Sequence, residues 1–257
     1  MTLFSCGDSE EIIEEQLPDT VPIGELIWSD EFDTTGSPSS ENWAYDIGNG
    51  TDGWGNKEAQ FYTRANATIA DGILKITAKK ETYGGREFSS ARIKTQGKFS
   101  FTYGRVEVRA KLPSGGGTWP AIWMLGENFT TVGWPRCGEI DIMEHKGNNQ
   151  GVTSSAIHNS SGYNDTPYVY FLDRVEGISS NFHTYGINWT KDKIDFIIDD
   201  VVYYTYNPSN KNENNWPFDK PQFIILNVAM GGNLGGNIDS AFTESNMEIE
   251  YVRVYKN

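Results

Sequence analysis

The chain has 257 residues, 37% of them hydrophobic and 22% charged, which excludes a disordered tract and suits one soluble globular domain. Its formal net charge of −14 excludes the basic face that nucleic acid requires and disfavours strongly anionic polymers as partners. Aromatic residues make up 13%, and two explanations stand side by side: a β-rich core, or rings that stack on the flat faces of sugars.

In chain order, the first feature is Leu3-Phe4-Ser5-Cys6, which looks like the end of a bacterial lipoprotein signal with Cys6 as the lipidated residue. The segment before it is short for such a signal, so a signal remnant is expected; the alternative is a chance cysteine in a loose tail. Asp8, Glu10, Glu11, Glu14, Glu15 and Asp19 follow without a base and resemble the surface-export signal of bacterial lipoproteins. One diacylated cysteine on an acidic tether would make the protein an extracellular, outer-membrane-anchored lipoprotein that touches the membrane only through its lipid. No stretch approaches the ~20 apolar residues of a membrane helix. Residues 1–24 are therefore expected to be signal remnant and linker, and 25–257 one folded domain. Cys6 and Cys137 are read as independent, since no motif pairs them.

From Glu25 onward, short strand patterns alternate with Gly, Asn, Asp and Pro clusters. Residues 73–78 form one candidate strand. Residues 105–112 alternate strictly, which predicts one wet face and one buried face. Residues 193–199, 201–206 and 248–255 are further candidates. Residues 223–230 are nearly all apolar, so both faces of that strand should be covered. About a dozen strands and no long amphipathic helix are expected, an all-β, two-sheet sandwich.

The segment 138–144 carries the chemistry. Alternation places Glu139 and Asp141 on one face, and Ile140 and Ile142 on the other. Continued strictly, it would drive Glu144 into the core, at a large desolvation cost. A β-bulge near Met143 would reset the parity and return Glu144 to the acid face. Three adjacent carboxylates repel and raise one another's pKa, which a structural strand has no reason to tolerate. A glycosidase uses that crowding, because it needs one ionised and one protonated carboxyl about 5–5.5 Å apart when it retains configuration. Metal binding or a solvated edge strand are the alternatives from spacing alone.

Glu139-Ile140-Asp141-Ile142-Met143-Glu144 matches the Glu-x-Asp-x-x-Glu signature of glycoside hydrolase family 16, and the chain resembles the bacterial laminarinases of that family. The resemblance extends from about Leu26 to Tyr255 and includes residues 27–33, 56–63, 104–107 and 118–125. It implies a jelly-roll, concanavalin-like sandwich with a substrate cleft on the concave sheet, and no cofactor for catalysis. It implies Glu139 as nucleophile, Glu144 as general acid/base and Asp141 as the group that tunes them. Trp119 and Trp123 match cleft tryptophans, with core packing as the alternative; their i, i+4 spacing on a strand gives them one face. Trp134 is a further cleft candidate. Asn56 and Arg92 match positions that hydrogen-bond glucose hydroxyls, and His158 matches a histidine near the site; His183 reads as structural. Glu31, Gly72 and Glu250 match a structural calcium site that is built partly from backbone oxygens, although relatives usually have Asp where this chain has Glu250. Leu234 stands where relatives often have Trp, which implies a weaker or differently shaped sugar subsite.

The expected activity is retaining endo-hydrolysis of β-1,3-glucan by a monomer, with mixed-linkage β-1,3-1,4-glucan as a further substrate. Three readings compete. A relative that cleaves sulfated galactans would need bases in the cleft, and only Arg136 and Lys146 stand near the acidic strand in sequence. A lichenase would lack the extra residue at Met143. A lectin-like binding module would have replaced one of the acids, and all three are present.

Overall fold

The computed structural model describes residues 23–161, 168–171 and 175–257. Cys6 and nearly all of the expected linker lie outside them. In chain order the strands are β1 (Leu26–Asp30), β2 (Ala44–Asp46), β3 (Gln60–Tyr62), β4 (Ala67–Ala70), β5 (Ile73–Tyr83), β6 (Arg86–Ser90), β7 (Arg92–Lys94), β8 (Gly104–Lys111) and β9 (Thr118–Gly126). After helix α1 (Phe129–Val132) come β10 (Glu139–His145), β11 (Thr153–His158), β12 (Tyr168–Phe171), β13 (His183–Trp189), β14 (Ile194–Ile198), β15 (Val201–Tyr206) and β16 (Gln222–Met230). Helix α2 (Gly232–Gly235) and β17 (Glu244–Tyr255) complete the chain.

Among the described residues the strands form two sheets. The ten-stranded sheet runs β15-β14-β13-β8-β17-β5-β6-β3, with β1 on β17 and β4 on β5. The seven-stranded sheet runs β12-β11-β10-β9-β16-β7-β2. The expected two-sheet sandwich is thus found, with more strands than sequence patterning suggested. Several of the additional ones, such as β2, β3 and β7, have only three residues, too few to show a period.

The core lies between the sheets. It is filled by Leu74, Ile76, Val106, Val108, Ile122, Met124, Ile140, Ile187, Trp189, Ile224, Leu226, Val228, Ile249, Val252 and Val254, all buried. Strand β16 is buried along its whole length, as expected. Its even-numbered apolar residues enter the main core, while Phe223 and Ile225 on the other face join Leu125 and Cys137 in a second cluster.

Two expectations need correction. The strand at 73–78 continues to Tyr83, because Gly84 (φ 55°) and Gly85 (φ 78°) allow a tight turn into β6 that pairs the extra residues. The outer face of β8 is not wet at its start. Arg105 and Glu107 are buried, for β8 is central between β13 and β17. Their charges are compensated: Arg105 donates to Glu107 Oε1 and to Asp200 Oδ1, each at 2.7 Å.

Candidate active site

Strand β10 contains the predicted bulge. Asp141 pairs with Trp123 of β9 and Ala156 of β11, and Glu144 pairs with Ala121 and Ser154. Between those pairs, Ile142 and Met143 stand opposite the single residue Ser155 on β11. Both Ile142 and Met143 point into the core. The extra residue therefore restores Glu144 to the face of Glu139 and Asp141.

That face floors a cleft of about 980 Å³ on the seven-stranded sheet. Every residue proposed from sequence for catalysis or substrate contact lines it: Glu139, Asp141, Glu144, Trp119, Trp123, Asn56, Arg92, His158 and Trp134. Trp119 and Trp123 share the cleft face of β9, with Ala121 between them. Trp119 Nε1 donates to Glu144 Oε1 at 3.0 Å. His158, directly across from Glu139 in the β10–β11 register, sets Nε2 3.0 Å from Asp141 Oδ2 and 3.6 Å from Glu139 Oε1. Trp134 packs its ring 6.0 Å from the His158 ring.

The electrostatics follow from burial. Burial first, and then repulsion from Asp141 and Glu144, pushes the Glu139 carboxyl up to about 8. Burial alone raises Asp141 to about 8. Burial and then Asp141 raise Glu144 to about 8, while the Trp119 hydrogen bond pulls the other way. Each of the three therefore holds its proton more firmly than an ordinary carboxyl, as the member that must protonate a leaving oxygen requires, and any pH profile reports the group and not one residue. An ionised carboxylate beside a protonated carboxyl is the pairing that acid–nucleophile chemistry on an acetal requires. Glu139, Asp141 and His158 each offer an atom within 4.8 Å of the others, a geometry that a cation would also accept.

Around Arg92, already expected here, the structure adds residues that the sequence reading missed. Arg92 lies between the rings of Trp54 and Trp123, at 5.0 and 4.7 Å. Asp46 holds it at 3.0 Å and also binds Lys94. Arg92 and Lys94 are thus cleft bases supplied by β7 and far from the acidic strand in sequence, whereas Arg136 lines a separate groove. Trp123 Nε1 donates to Asn227 Oδ1 at 2.8 Å, Asn227 donates to Tyr62 Oη, and the Tyr62 hydroxyl donates to buried Glu58. Glu58 also accepts from Asn56 Nδ2 at 3.3 Å. Asn227 carried one signal, as the only polar side chain in the 223–230 run. Trp54 carried none in sequence, but in the structure it has a left-handed φ of 58°, a strained state for a bulky residue. Phe129 and Leu234 also line the cleft.

Glu31, Gly72 and Glu250 converge on the other sheet, since β1 and β5 both pair with β17 and Gly72 lies in the β4–β5 turn. Both carboxylates there are already engaged. Arg253 grips Glu31 through two hydrogen bonds, at 2.9 and 2.7 Å, and holds its carboxyl below the usual range. Arg109 binds Glu250. Arginines thus occupy both carboxylates, and a calcium ion here would rest on backbone oxygens. His183, read as structural, is bound at 2.6 Å to Asp199 on the far sheet.

The comparisons with known proteins agree with this geometry. Residues 55–253 match the family model described as glycosyl hydrolases family 16. The chain is 44% identical to a beta-glucanase of Rhodothermus marinus, over 93% of this chain and 87% of that one. It is 37% identical to a glucan endo-1,3-beta-glucosidase of Cryptopygus antarcticus, over 89% of this chain and 90% of that one. The crystal structure of a laminarinase from Flavobacterium sp. UMI-01 superposes with a TM-score of 0.85 at 44% identity, covering 90% of this chain and all of that one. A signature strand with its bulge, a cleft that gathers the expected residues and a match over most of the domain lead to one conclusion: the chain belongs to glycosyl hydrolase family 16 and is a jelly-roll glycoside hydrolase.

Proposed function

We propose that the protein is a retaining endo-β-1,3-glucanase that also accepts mixed-linkage β-1,3-1,4-glucan. The observation that carries the proposal is the β10 bulge, which sets Glu139 and Glu144 on one cleft face with Asp141 between them in sequence. In the first step Glu139 attacks the anomeric carbon as Glu144 protonates the departing glycosidic oxygen. In the second, Glu144 takes a proton from water, which displaces Glu139 and frees the sugar. Trp119, Trp123 and Trp134 supply stacking surface, and Asn56 and Arg92 supply hydrogen bonds to hydroxyls. The relatives named above support β-1,3-glucan as substrate.

Laminarin, lichenan and agarose compared side by side test the substrate. Reducing ends should appear from laminarin and lichenan and vanish in Glu139→Gln; dominant release from agarose would refute the substrate class. Arg92 and Lys94 in the cleft make a sulfated galactan the one rival that the structure favours, although Asp46 bridges the two bases.

We further propose, on the sequence alone, that the enzyme works outside the cell, tethered through Cys6. Metabolic labelling with an alkyne fatty acid should mark the full chain and not Cys6→Ala; equal labelling would contradict the tether.

A further inference from the structure

A bulge leaves backbone groups without ladder partners, and a buried unpaired carbonyl is costly. On β10 the residue opposite no partner on β9 is Ile142. Ser155, alone across the bulge on β11, gives that residue a side-chain donor: its Oγ donates to the Ile142 carbonyl at 2.7 Å. Ser155 is 1% exposed and does not line the cleft, unlike its neighbours Ser154 and Ala156. The serine has one hydrogen, and the carbonyl takes it. The short hydrogen bond between Ser155 and Tyr203 must therefore run from the tyrosine hydroxyl to Ser155 Oγ. Tyr203 belongs to β15 of the other sheet, where its ring packs on Phe196.

We propose that Ser155 is a positioning residue for Glu144, acting through the Ile142 carbonyl, with Tyr203 reaching across the sandwich to fix the serine hydroxyl. The link runs from the ten-stranded sheet to the bulge that aims the acid/base, and touches neither cleft nor substrate. It rests on the function proposed above. Glu144 accepts from Trp119 and feels the charges of Asp141, His158 and Lys146, so a small shift of the bulge changes its hydrogen bond and its electrostatics together.

The test compares full-length wild type, Ser155→Ala, Ser155→Thr and Tyr203→Phe for kcat, KM, pH profile and melting temperature on laminarin. Ser155→Ala should lower kcat by about 10- to 100-fold, the effect of misplacing a reacting group by up to 1 Å. KM should stay within about twofold, and the alkaline limb of the profile should move. Ser155→Thr, which keeps the hydroxyl, should recover most of the rate, and Tyr203→Phe should show a smaller loss. A Ser155→Ala enzyme with wild-type kcat and pH profile, lower only in melting temperature, would overturn the proposal. If alanine prevents folding, Ser155→Cys, nearly isosteric and a weak donor, is judged by the same two outcomes. A wild type inactive on every β-glucan refutes the enzyme reading and this proposal together; an active wild type with an unaffected serine variant refutes only this one.

Discussion

Trp119 donates its indole N–H to Glu144 Oε1 at 3.0 Å, so a residue of the stacking wall is also bonded to the acid/base. A donor bonded to a carboxylate favours its charged form. The same bond therefore opposes the burial that pushes Glu144 up to about 8.

Trp119→Phe keeps an aromatic face, though a smaller one, and deletes the donor. The pKa of Glu144 should rise further, moving the alkaline limb of kcat/KM to higher pH by about one unit. An unmoved limb would show that the bond is absent in the working enzyme.

The wild-type profile should be bell-shaped. With Glu139, Asp141 and Glu144 all raised to about 8 and coupled, activity should decline as pH climbs through about 8 and the acid loses its proton. It should also fall on the acid side as the nucleophile becomes protonated. A profile flat to well above pH 9 would contradict the protonated acid.

The same shifts predict that the site destabilises the fold. Below the unfolded carboxyl value near ~4.3 both states hold the proton. Between there and about 8 the folded state holds protons that the unfolded chain has released, so stability falls as pH rises. The slope per raised group is at most ~1.4 kcal/mol per pH unit. Glu139→Gln and Glu144→Gln should each raise the melting temperature at pH 7 to 8, with the gain gone at pH 4. Calorimetry at both pH values checks this, and a variant less stable than wild type at pH 8 would contradict it.

Arg253 on Glu31 and Arg109 on Glu250 take up the two carboxylates at the expected calcium site. Chelation by EDTA, followed by added calcium, should leave both melting temperature and activity unchanged. A calcium-dependent rise in melting temperature would show that the ion displaces those arginines.

Much of this was legible in sequence because the strongest signals are local. A polar–apolar period of two gave β8 and most of β10, and an isolated parity conflict at Met143 gave the bulge. What escaped depends on register between distant strands. The buried Arg105–Glu107 pair needs the central place of β8 in the sheet. Asp46 meets Arg92 only because β2 pairs with β7, and β2 has three residues with no readable period. The chain of hydrogen bonds from Trp123 through Asn227 and Tyr62 to Glu58 joins four residues that have no spacing in common. The calcium expectation came from resemblance, and two arginines on neighbouring strands oppose it.

The pairing of Glu139 with Glu144 across one bulge is tested most directly by proton NMR of the first sugar released from laminarin, recorded before mutarotation. Two displacements at one carbon return the starting configuration, so the β-anomer should appear first. Initial α-anomer would mean that water attacks directly, and Glu139 would not be the nucleophile.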